Sequence, residues 1–292
     1  MRADCGPDGS GSESSGTTGG GVTVRGALPS DDYVWFCEQV LRKTGLDLQQ
    51  YKRPQMERRL RSMAERVGAR NLEQYWAILE KDQRQFNQFI DRITINVSEL
   101  FRNPEKFDEL RRVILPELRR LGSPLKVWSA GCSYGAEPYS LAILLEEMRP
   151  LSYHILATDV DETILSKAKE GVFAPEDMRN VSPEWKQKYF VQQGDRYQAK
   201  PDLKRNIVFR KHNLLADPFD TGFHLIVCRN VVIYFTEEAK NRLYERFFQS
   251  LVPGGVLFVG STERIFNYRE LGFEMPLSFF YRKPAVGVRR AA

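Results

Sequence analysis

The spacing of hydrophobic residues changes once along the chain, near residue 124. From residue 30 to residue 121, apolar side chains recur every three or four positions, as on one face of an amphipathic helix. Beyond Ser123-Pro124, short apolar runs alternate with stretches of helical spacing. That alternation is typical of a mostly parallel sheet covered by helices on both faces. The pattern therefore predicts an all-α N-terminal domain followed by an α/β domain.

Helices account for the whole first part of the chain. Gly45 ends the first helix and Pro54 stands in the first turn of the second, positions that these residues favour. The last helix begins at Asn103-Pro104 and contains Pro116, which is expected to bend it or end it early. The apolar stripes lie within residues 34–41, 56–67, 72–79, 86–93 and 110–118.

Strands and helices alternate in the second part. Between them, the polar segment at about residues 192–206 contains Gly194 and Pro201 and predicts a small inserted β-hairpin. Strands are expected at residues 126–129, 154–158, 207–211, 224–228, 256–260 and 279–282. Helices are expected at residues 138–148, 162–170, 183–190 and 237–251.

These patterns suggest a domain organisation. Residues 1–27 are mostly Gly, Ser and Thr and predict a disordered tail, because such a segment buries too little surface to offset its ordering entropy. A second short tail is expected at the other end of the chain. The predicted boundaries are 28–93 for the helical domain, 94–123 for a linker and helix, 124–284 for the α/β domain and 285–292 for the second tail.

Composition narrows the function classes only slightly. The 43 basic and 38 acidic residues give a net charge of +5, which permits an acidic partner without requiring one. The four cysteines form no CxxC motif, so we expect reduced thiols, a cytoplasmic protein and no metal site. We also expect no membrane insertion, because no apolar run approaches the length of a membrane span and no signal peptide precedes the helices.

The stretch from residue 125 to 145 reads as a strand, a glycine turn at Gly131 and Gly135, and a helix, as at the start of a nucleotide-binding α/β unit. It lacks the G-x-G-x-x-G pattern. Glu137 stands where a diphosphate would otherwise sit, and Asp159 ends the second strand, where a carboxylate accepts bonds from a ribose. An adenosine with a cationic amino-acid tail would suit both carboxylates, its tail at Glu137 and its ribose at Asp159, which indicates S-adenosylmethionine. Alternatively, Glu137 favours the helix N-terminus and Asp159 caps the next helix.

The same turn also fits the G-x-S-x-G pattern of serine hydrolases, with Ser133 as the nucleophile. No strand precedes this one to supply an oxyanion hole, and His212 and His224 lie in or beside internal strands rather than on a late loop. Ser133 is therefore more consistent with a small turn residue.

Five separated motifs carry a family resemblance: NVSELFRNPEKF, SAGCSYGAEPYSLAILL, ATDVDETILSKAKEGVF, KHNLL and CRNVVIYF. They resemble the CheR family of chemotaxis methyltransferases, which esterify glutamate side chains on chemoreceptors, over about residues 30 to 284. The resemblance implies a Rossmann-like methyltransferase domain whose last strand is antiparallel. One departure is Tyr134, where the family often has a small residue. The insert is also compact compared with family members that dock a receptor tail on it.

The resemblance also implies site residues. Asn213-Leu214 would bind the adenine edge, and Asn230 would face the ligand crevice, although a turn-forming role explains Asn230 equally well. Arg102 would face the substrate carboxylate and Tyr234 would shape the methyl path, unless Tyr234 is simply an aromatic core residue. The implied cofactor contacts are Asn96, Ser98, Arg102, Glu137, Asp159, Asn213, Leu214, Arg229 and Asn230.

The helix after residue 52 is strongly basic opposite its apolar stripe. Such a run is usually a solvated face. The resemblance instead implies docking of the acidic cytoplasmic helices of methyl-accepting chemoreceptors, steered by charge complementarity. Nucleic acid is not expected, because no aromatic residues interleave the charges. The implied docking residues are Lys52, Arg53, Arg58, Arg59 and Arg66.

The sequence thus predicts a monomeric, cytoplasmic protein-glutamate O-methyltransferase that uses S-adenosylmethionine. A glutamate substrate is already ionised at neutral pH, so Arg102 and Tyr234 would act by alignment rather than as general bases. Two alternatives remain: a cofactor-binding sensor or scaffold domain with little turnover, and the serine hydrolase.

Overall fold

The N-terminal part of the chain is a helical domain built around one phenylalanine. The computed structural model describes residues 31–94, 98–148 and 151–285. Phe36 is fully buried, and its ring meets the rings of Trp76 and Phe89 edge to face at centroid distances of 5.6 Å and 5.7 Å. The helices are α1 (Asp32–Thr44), α2 (Arg53–Arg66), α3 (Leu72–Lys81) and α4 (Gln83–Thr94).

A longer helical segment connects this domain to the sheet. It comprises α5 (Pro104–Glu109), a π-helical turn (Leu110–Ile114) and α6 (Leu115–Arg119). The backbone N–H of Leu115 donates to the Leu110 carbonyl, five residues earlier, directly before Pro116. The disturbance expected at Pro116 therefore takes the form of a π turn, and the helix does not end there.

The second part is a seven-stranded sheet in the order β6-β2-β1-β7-β8-β10-β9. Strands β6, β2, β1, β7 and β8 are parallel, whereas β10 runs antiparallel to both β8 and β9, as predicted. The strands are β1 (Leu125–Ala130), β2 (Tyr153–Asp159), β3 (Val172–Phe173), β4 (Phe190–Gln193), β5 (Arg196–Ala199), β6 (Ile207–Lys211), β7 (Phe223–Cys228), β8 (Leu251–Val259), β9 (Glu274–Leu277) and β10 (Phe280–Arg282). The helices are α7 (Ala136–Glu146), α8 (Glu162–Glu170), α9 (Pro183–Tyr189), α10 (Pro201–Lys204) and α11 (Glu237–Ser250).

The predicted hairpin insert is present with different bounds, since its strands end at Ala199 and helix α10 occupies residues 201–204 of the predicted segment. Strands β4 and β5 are antiparallel around a turn in which Gly194 has a φ of +62°. The hairpin begins at Phe190 rather than at residue 192, and the distant strand β3 pairs with β5 to make a separate three-stranded sheet. Sequence reasoning missed β3 because two residues carry no periodicity.

Strands β1, β2 and β7 end side by side, which places their carboxyl ends at one edge of the sheet. Val127 of β1 pairs with Ile155 on one side and Leu225 on the other. Beneath this edge the buried indole of Trp128 donates a hydrogen bond of 2.9 Å to the Thr158 hydroxyl. Side chains and turns that follow these strands are therefore brought together.

The helical domain borders the same edge of the sheet. Its Lys52 backbone N–H donates to the Tyr234 carbonyl at 2.8 Å, and the Thr236 N–H donates to the Gln50 carbonyl at 2.9 Å. Tyr51 and Phe235 form an antiparallel bridge between these bonds. No helix in the described ranges is both long enough and apolar enough to span a bilayer.

Candidate functional site

A cleft at the carboxyl edge of the sheet is lined by residues of both parts of the chain. It encloses an empty volume of about 1020 Å³, open solvent included. Asn96, a predicted contact, lies outside the described residues. The other predicted cofactor and catalytic residues all line the cleft: Ser98, Arg102, Glu137, Asp159, Asn213, Leu214, Arg229, Asn230 and Tyr234. Their individual roles stay predictions.

The glycine turn after β1 packs closely against its surroundings. Gly131 has a φ of +83°, and a Cβ atom there would lie 2.5 Å from Val231 Cγ2. Ser133 also has a positive φ, of 50°, and its backbone N–H donates to Asp159 at 2.9 Å. Gly131 therefore keeps the turn against the segment that follows β7, and Ser133 fixes the turn to the end of β2.

Glu137, at the first turn of α7, is a largely buried carboxylate whose side chain is 12% exposed. Its Oε1 accepts a hydrogen bond of 2.8 Å from the Ser129 hydroxyl, and its Oε2 lies 3.9 Å from Arg229 Nη1. Burial is the main cause that raises the pKa of Glu137 to about 7, and Arg229 opposes the rise. A cationic ligand group would stabilise the ionised form of this side chain.

Asp159 ends β2 on the opposite side of the glycine turn. One carboxylate oxygen accepts from the Ser133 N–H and the other from the Asp161 N–H at 3.1 Å. Burial raises its pKa, and these backbone bonds oppose the rise. The alternative that Asp159 caps the next helix is wrong: Asp161 caps α8, because its side chain accepts from the N–H groups of Thr163 and Ile164.

Asn213 and Leu214 follow β6, and the amide of Asn213 reaches across the cleft border. Its Nδ2 donates to the Gly45 carbonyl at 3.0 Å, while its Oδ1 accepts from the Leu215 N–H at 3.0 Å. Asn213 thereby ties the sheet domain to the segment that follows α1. The predicted adenine contact would have to share this amide with the existing bonds.

Arg229 and Asn230 follow β7. The Arg229 guanidinium donates to the Arg102 carbonyl at 2.7 Å and to Asn103 Oδ1 at 2.8 Å, and its Nε is buried without a partner among the described residues. Asn230 has a φ of +60°, which agrees with its turn-forming role while leaving it in the cleft lining.

Sequence reasoning missed Glu263. This buried carboxylate accepts backbone hydrogen bonds from Asn230 at 2.6 Å, Val232 at 2.9 Å and Gly260 at 2.9 Å. It holds the turn after β7 in place from the end of β8. The available signal was an acidic residue shortly after Val259, the last residue of a buried strand, which resembles the placement of Asp159 at the end of β2.

Four of the five predicted docking residues line a second groove beside the cleft. Arg92 of α4, which was not predicted, adds a fifth positive charge to this basic groove. Arg53 is not among its lining residues; its guanidinium pairs with Glu57 at 3.1 Å and lies 4.8 Å from the ring centre of Tyr33. The basic groove contains Lys52, Arg58, Arg59, Arg66 and Arg92.

Tyr51 and Tyr234 are the residues of the described chain that line both the cleft and the basic groove. The Tyr51 ring packs edge to face on Phe235 at 5.1 Å, and the Arg59 guanidinium lies 5.8 Å from the Tyr234 ring centre. Tyr234 is therefore a boundary residue rather than an interior aromatic. Tyr51 is a second wall residue that the sequence did not reveal.

Comparison with known proteins identifies the sequence relatives. Residues 96–276 match the family described as CheR methyltransferase, SAM binding domain, and residues 31–94 match its all-alpha domain. A chemotaxis protein methyltransferase of Listeria monocytogenes is 43% identical over 254 residues, which cover 86% of this chain and 97% of the relative. Proteins with the same description from Borreliella burgdorferi and Escherichia coli are 35% and 29% identical, over 86% and 87% of this chain and 94% and 91% of theirs.

These matches show that S-adenosylmethionine is the cofactor and that the chain is a methyltransferase. The carboxylates of Asp159, which is buried, and Glu137, which is largely buried, fit a ligand with a ribose and a cationic tail. The hydrolase alternative has no support from the matches, and the Nε2 of His212 already bonds to the Pro218 carbonyl at 3.1 Å.

We expect cofactor affinity to depend on the protonation of Glu137. Because its pKa in the free protein is about 7, the carboxylate that would attract the ligand ammonium is lost as the pH falls through 7. Binding of S-adenosylhomocysteine, measured by calorimetry, should weaken about tenfold between pH 8 and pH 6. The Glu137→Gln variant should bind weakly at pH 8 and show a flatter profile; a profile as steep as that of the parent would contradict the assignment.

Proposed function

Because the chain belongs to the CheR methyltransferase family, we propose that it methylates glutamate side chains on the cytoplasmic helices of chemoreceptors. The observation that carries this proposal is the convergence of Glu137, Asp159 and Arg102 on one cleft. Two buried carboxylates suit a cationic nucleoside, whereas an arginine suits an incoming anion. The relatives named as chemotaxis protein methyltransferases support the choice of substrate.

In this proposal the cofactor is held by Glu137 at its cationic tail and by Asp159 at its ribose. Bound S-adenosylmethionine supplies an electrophilic methyl group on a positively charged sulfur. Ser133 and Ser129 hold the two carboxylates in place through hydrogen bonds of 2.9 Å and 2.8 Å. The preorganised acceptors therefore need little rearrangement when the ligand enters.

The substrate side of the cleft requires orientation rather than proton transfer. A glutamate with a pKa of about 4.3 is ionised at neutral pH and reacts without a general base. Arg102 orients this carboxylate, and Tyr234 limits its approach from the basic groove. Both residues also help to keep water from the reacting groups.

The basic groove supplies the docking surface in this proposal. Its arginines and Lys52 complement acidic residues on a receptor helix, and charge complementarity would speed the encounter. Because Tyr234 lines both depressions, a glutamate on a helix in the groove would be next to the cleft. We further propose that the enzyme acts as a cytoplasmic monomer.

The direct test is transfer of a labelled methyl group to receptor cytoplasmic domains. We expect an ester that is released by mild alkali and that mass spectrometry locates on glutamate residues. Glutamate-to-alanine variants of the labelled receptor positions serve as the control. Tight cofactor binding without transfer to any receptor would instead favour the sensor or scaffold alternative.

The division of roles predicts different defects for two variants. Arg102→Ala should lower the turnover number about 100-fold, because an orienting charge is lost, and should change the affinity for S-adenosylhomocysteine much less. Asp159→Ala should instead weaken that affinity about tenfold or more, because a buried acceptor is lost. Steady-state kinetics and calorimetry measure the two effects; variants with the same profile would refute this division.

Charge reversal in the basic groove should weaken the interaction with the receptor and leave cofactor binding unchanged. Arg58→Glu and Arg66→Glu should each raise the KM for receptor about tenfold at low salt and leave the binding of S-adenosylhomocysteine unchanged. The matched control is Arg42→Glu on α1, where the parent arginine pairs with Glu38 at 3.3 Å and does not line the groove. An equal rise in KM for the control would indicate a general charge effect.

A further inference from the structure

The segment from Ser98 to Asn103 forms a roof over the cleft, and its backbone is strained. Ser98, Glu99 and Arg102 line the cleft from this segment. Phe101 has a φ of +52°, which a bulky side chain adopts only when its surroundings enforce it, and Asn103 has a φ of +61°, which asparagine adopts more readily. The roof therefore depends on contacts from other elements.

Several of these contacts come from the sheet domain. The Phe101 N–H donates to the Ser140 hydroxyl of α7 at 2.9 Å, and the Leu100 N–H donates to the Asp177 carbonyl at 3.0 Å. Arg229 holds the other end of the roof through the Arg102 carbonyl and the Asn103 side chain. The remaining end of the roof is at Ser98, which also lines the cleft.

Tyr134 of the glycine turn reaches this end of the roof. Its hydroxyl lies within hydrogen-bond distance of the Ser98 carbonyl and 2.9 Å from Asp177 Oδ1, so its single proton is shared by two acceptors. The other oxygen of Asp177 accepts from the Ala174 N–H at 2.9 Å. Burial and the Asp177 charge raise the pKa of Tyr134, so the hydroxyl remains a donor at neutral pH.

We propose that Tyr134 is a positioning residue that fixes the roof over the bound cofactor, with Asp177 as its partner. Tyr134 does not line the cleft and acts through Ser98. Asp177 contacts both Tyr134 and Leu100, so the two residues hold the roof as a unit. The inference deepens the proposed use of the cleft and rests on it for the cofactor's place beneath the roof.

The test is the Tyr134→Phe variant, which keeps the ring that packs near Phe173 but loses the hydroxyl. We expect its affinity for S-adenosylhomocysteine to fall about tenfold in calorimetry, the effect of one lost hydrogen bond in a partly buried site. Hydrogen exchange at the Leu100 and Phe101 amides should quicken in the ligand-bound state. Neither measurement needs a receptor, so failure of methyl transfer would not affect the result.

A matched control is Tyr153→Phe at the amino end of β2. Its hydroxyl donates to the buried Glu146 carboxylate at 2.7 Å and lies outside the cleft lining. This variant should bind S-adenosylhomocysteine like the parent even if its unfolding midpoint is lower. Parent-like binding by Tyr134→Phe, or equal weakening in both variants, would overturn the proposal.

A second variant covers the case in which Tyr134→Phe fails to fold. Asp177→Asn leaves the tyrosine in place and retains the backbone bond to Leu100, but its amide offers one acceptor oxygen where the carboxylate offers two, so the Tyr134 hydroxyl and the Ala174 N–H can no longer both donate to this side chain. We expect a smaller loss of affinity, about threefold, together with faster exchange at Leu100. Unchanged affinity and exchange in a folded Asp177→Asn protein would count against the proposal.

Discussion

The contacts of one buried arginine join the parts of the site. The Arg229 guanidinium lies 5.2 Å from the ring centre of Phe107 and 4.9 Å from that of Phe258, where an unpaired charge would be costly. Its compensation comes from Glu137, the Arg102 carbonyl and Asn103. Glu137 belongs to α7, and Arg102 and Asn103 belong to the roof. The need to compensate the buried Arg229 charge therefore holds the roof against the sheet domain.

Three carboxylates lie at this edge of the sheet: Glu137 and Asp159 line the cleft, whereas Glu263 holds the turn after β7. Glu137, Asp159 and Glu263 all have raised pKa values, with burial as the main cause. Glu263 is compensated by three backbone N–H groups, whereas Glu137 has one hydroxyl donor and a cation 3.9 Å away. The carboxylate with the fewest donors is therefore the one best able to gain from a positively charged ligand.

Local sequence patterns predicted much of this structure. The parallel strands, the glycine turn, Glu137 and Asp159 are encoded by short-range spacing, and the antiparallel last strand followed from the family resemblance. Long-range contacts were not predictable: Glu263 bonds to a residue 33 positions away, and Tyr51 comes to the cleft from another domain. Arg53 was predicted as a docking residue together with the other basic residues of its helix, but in the structure its guanidinium pairs with Glu57 and it does not line the basic groove.

The sharing of Tyr51 and Tyr234 between two depressions has an evolutionary consequence. Most groove residues, such as Arg58 and Arg66, line the groove and not the cleft, so under the docking proposed above they can change with the binding partner without altering the cleft. The two tyrosines are constrained twice, since a substitution at either one alters the lining of the cleft as well as that of the groove. Divergence among such enzymes should therefore be concentrated on the arginines, with the aromatic boundary retained.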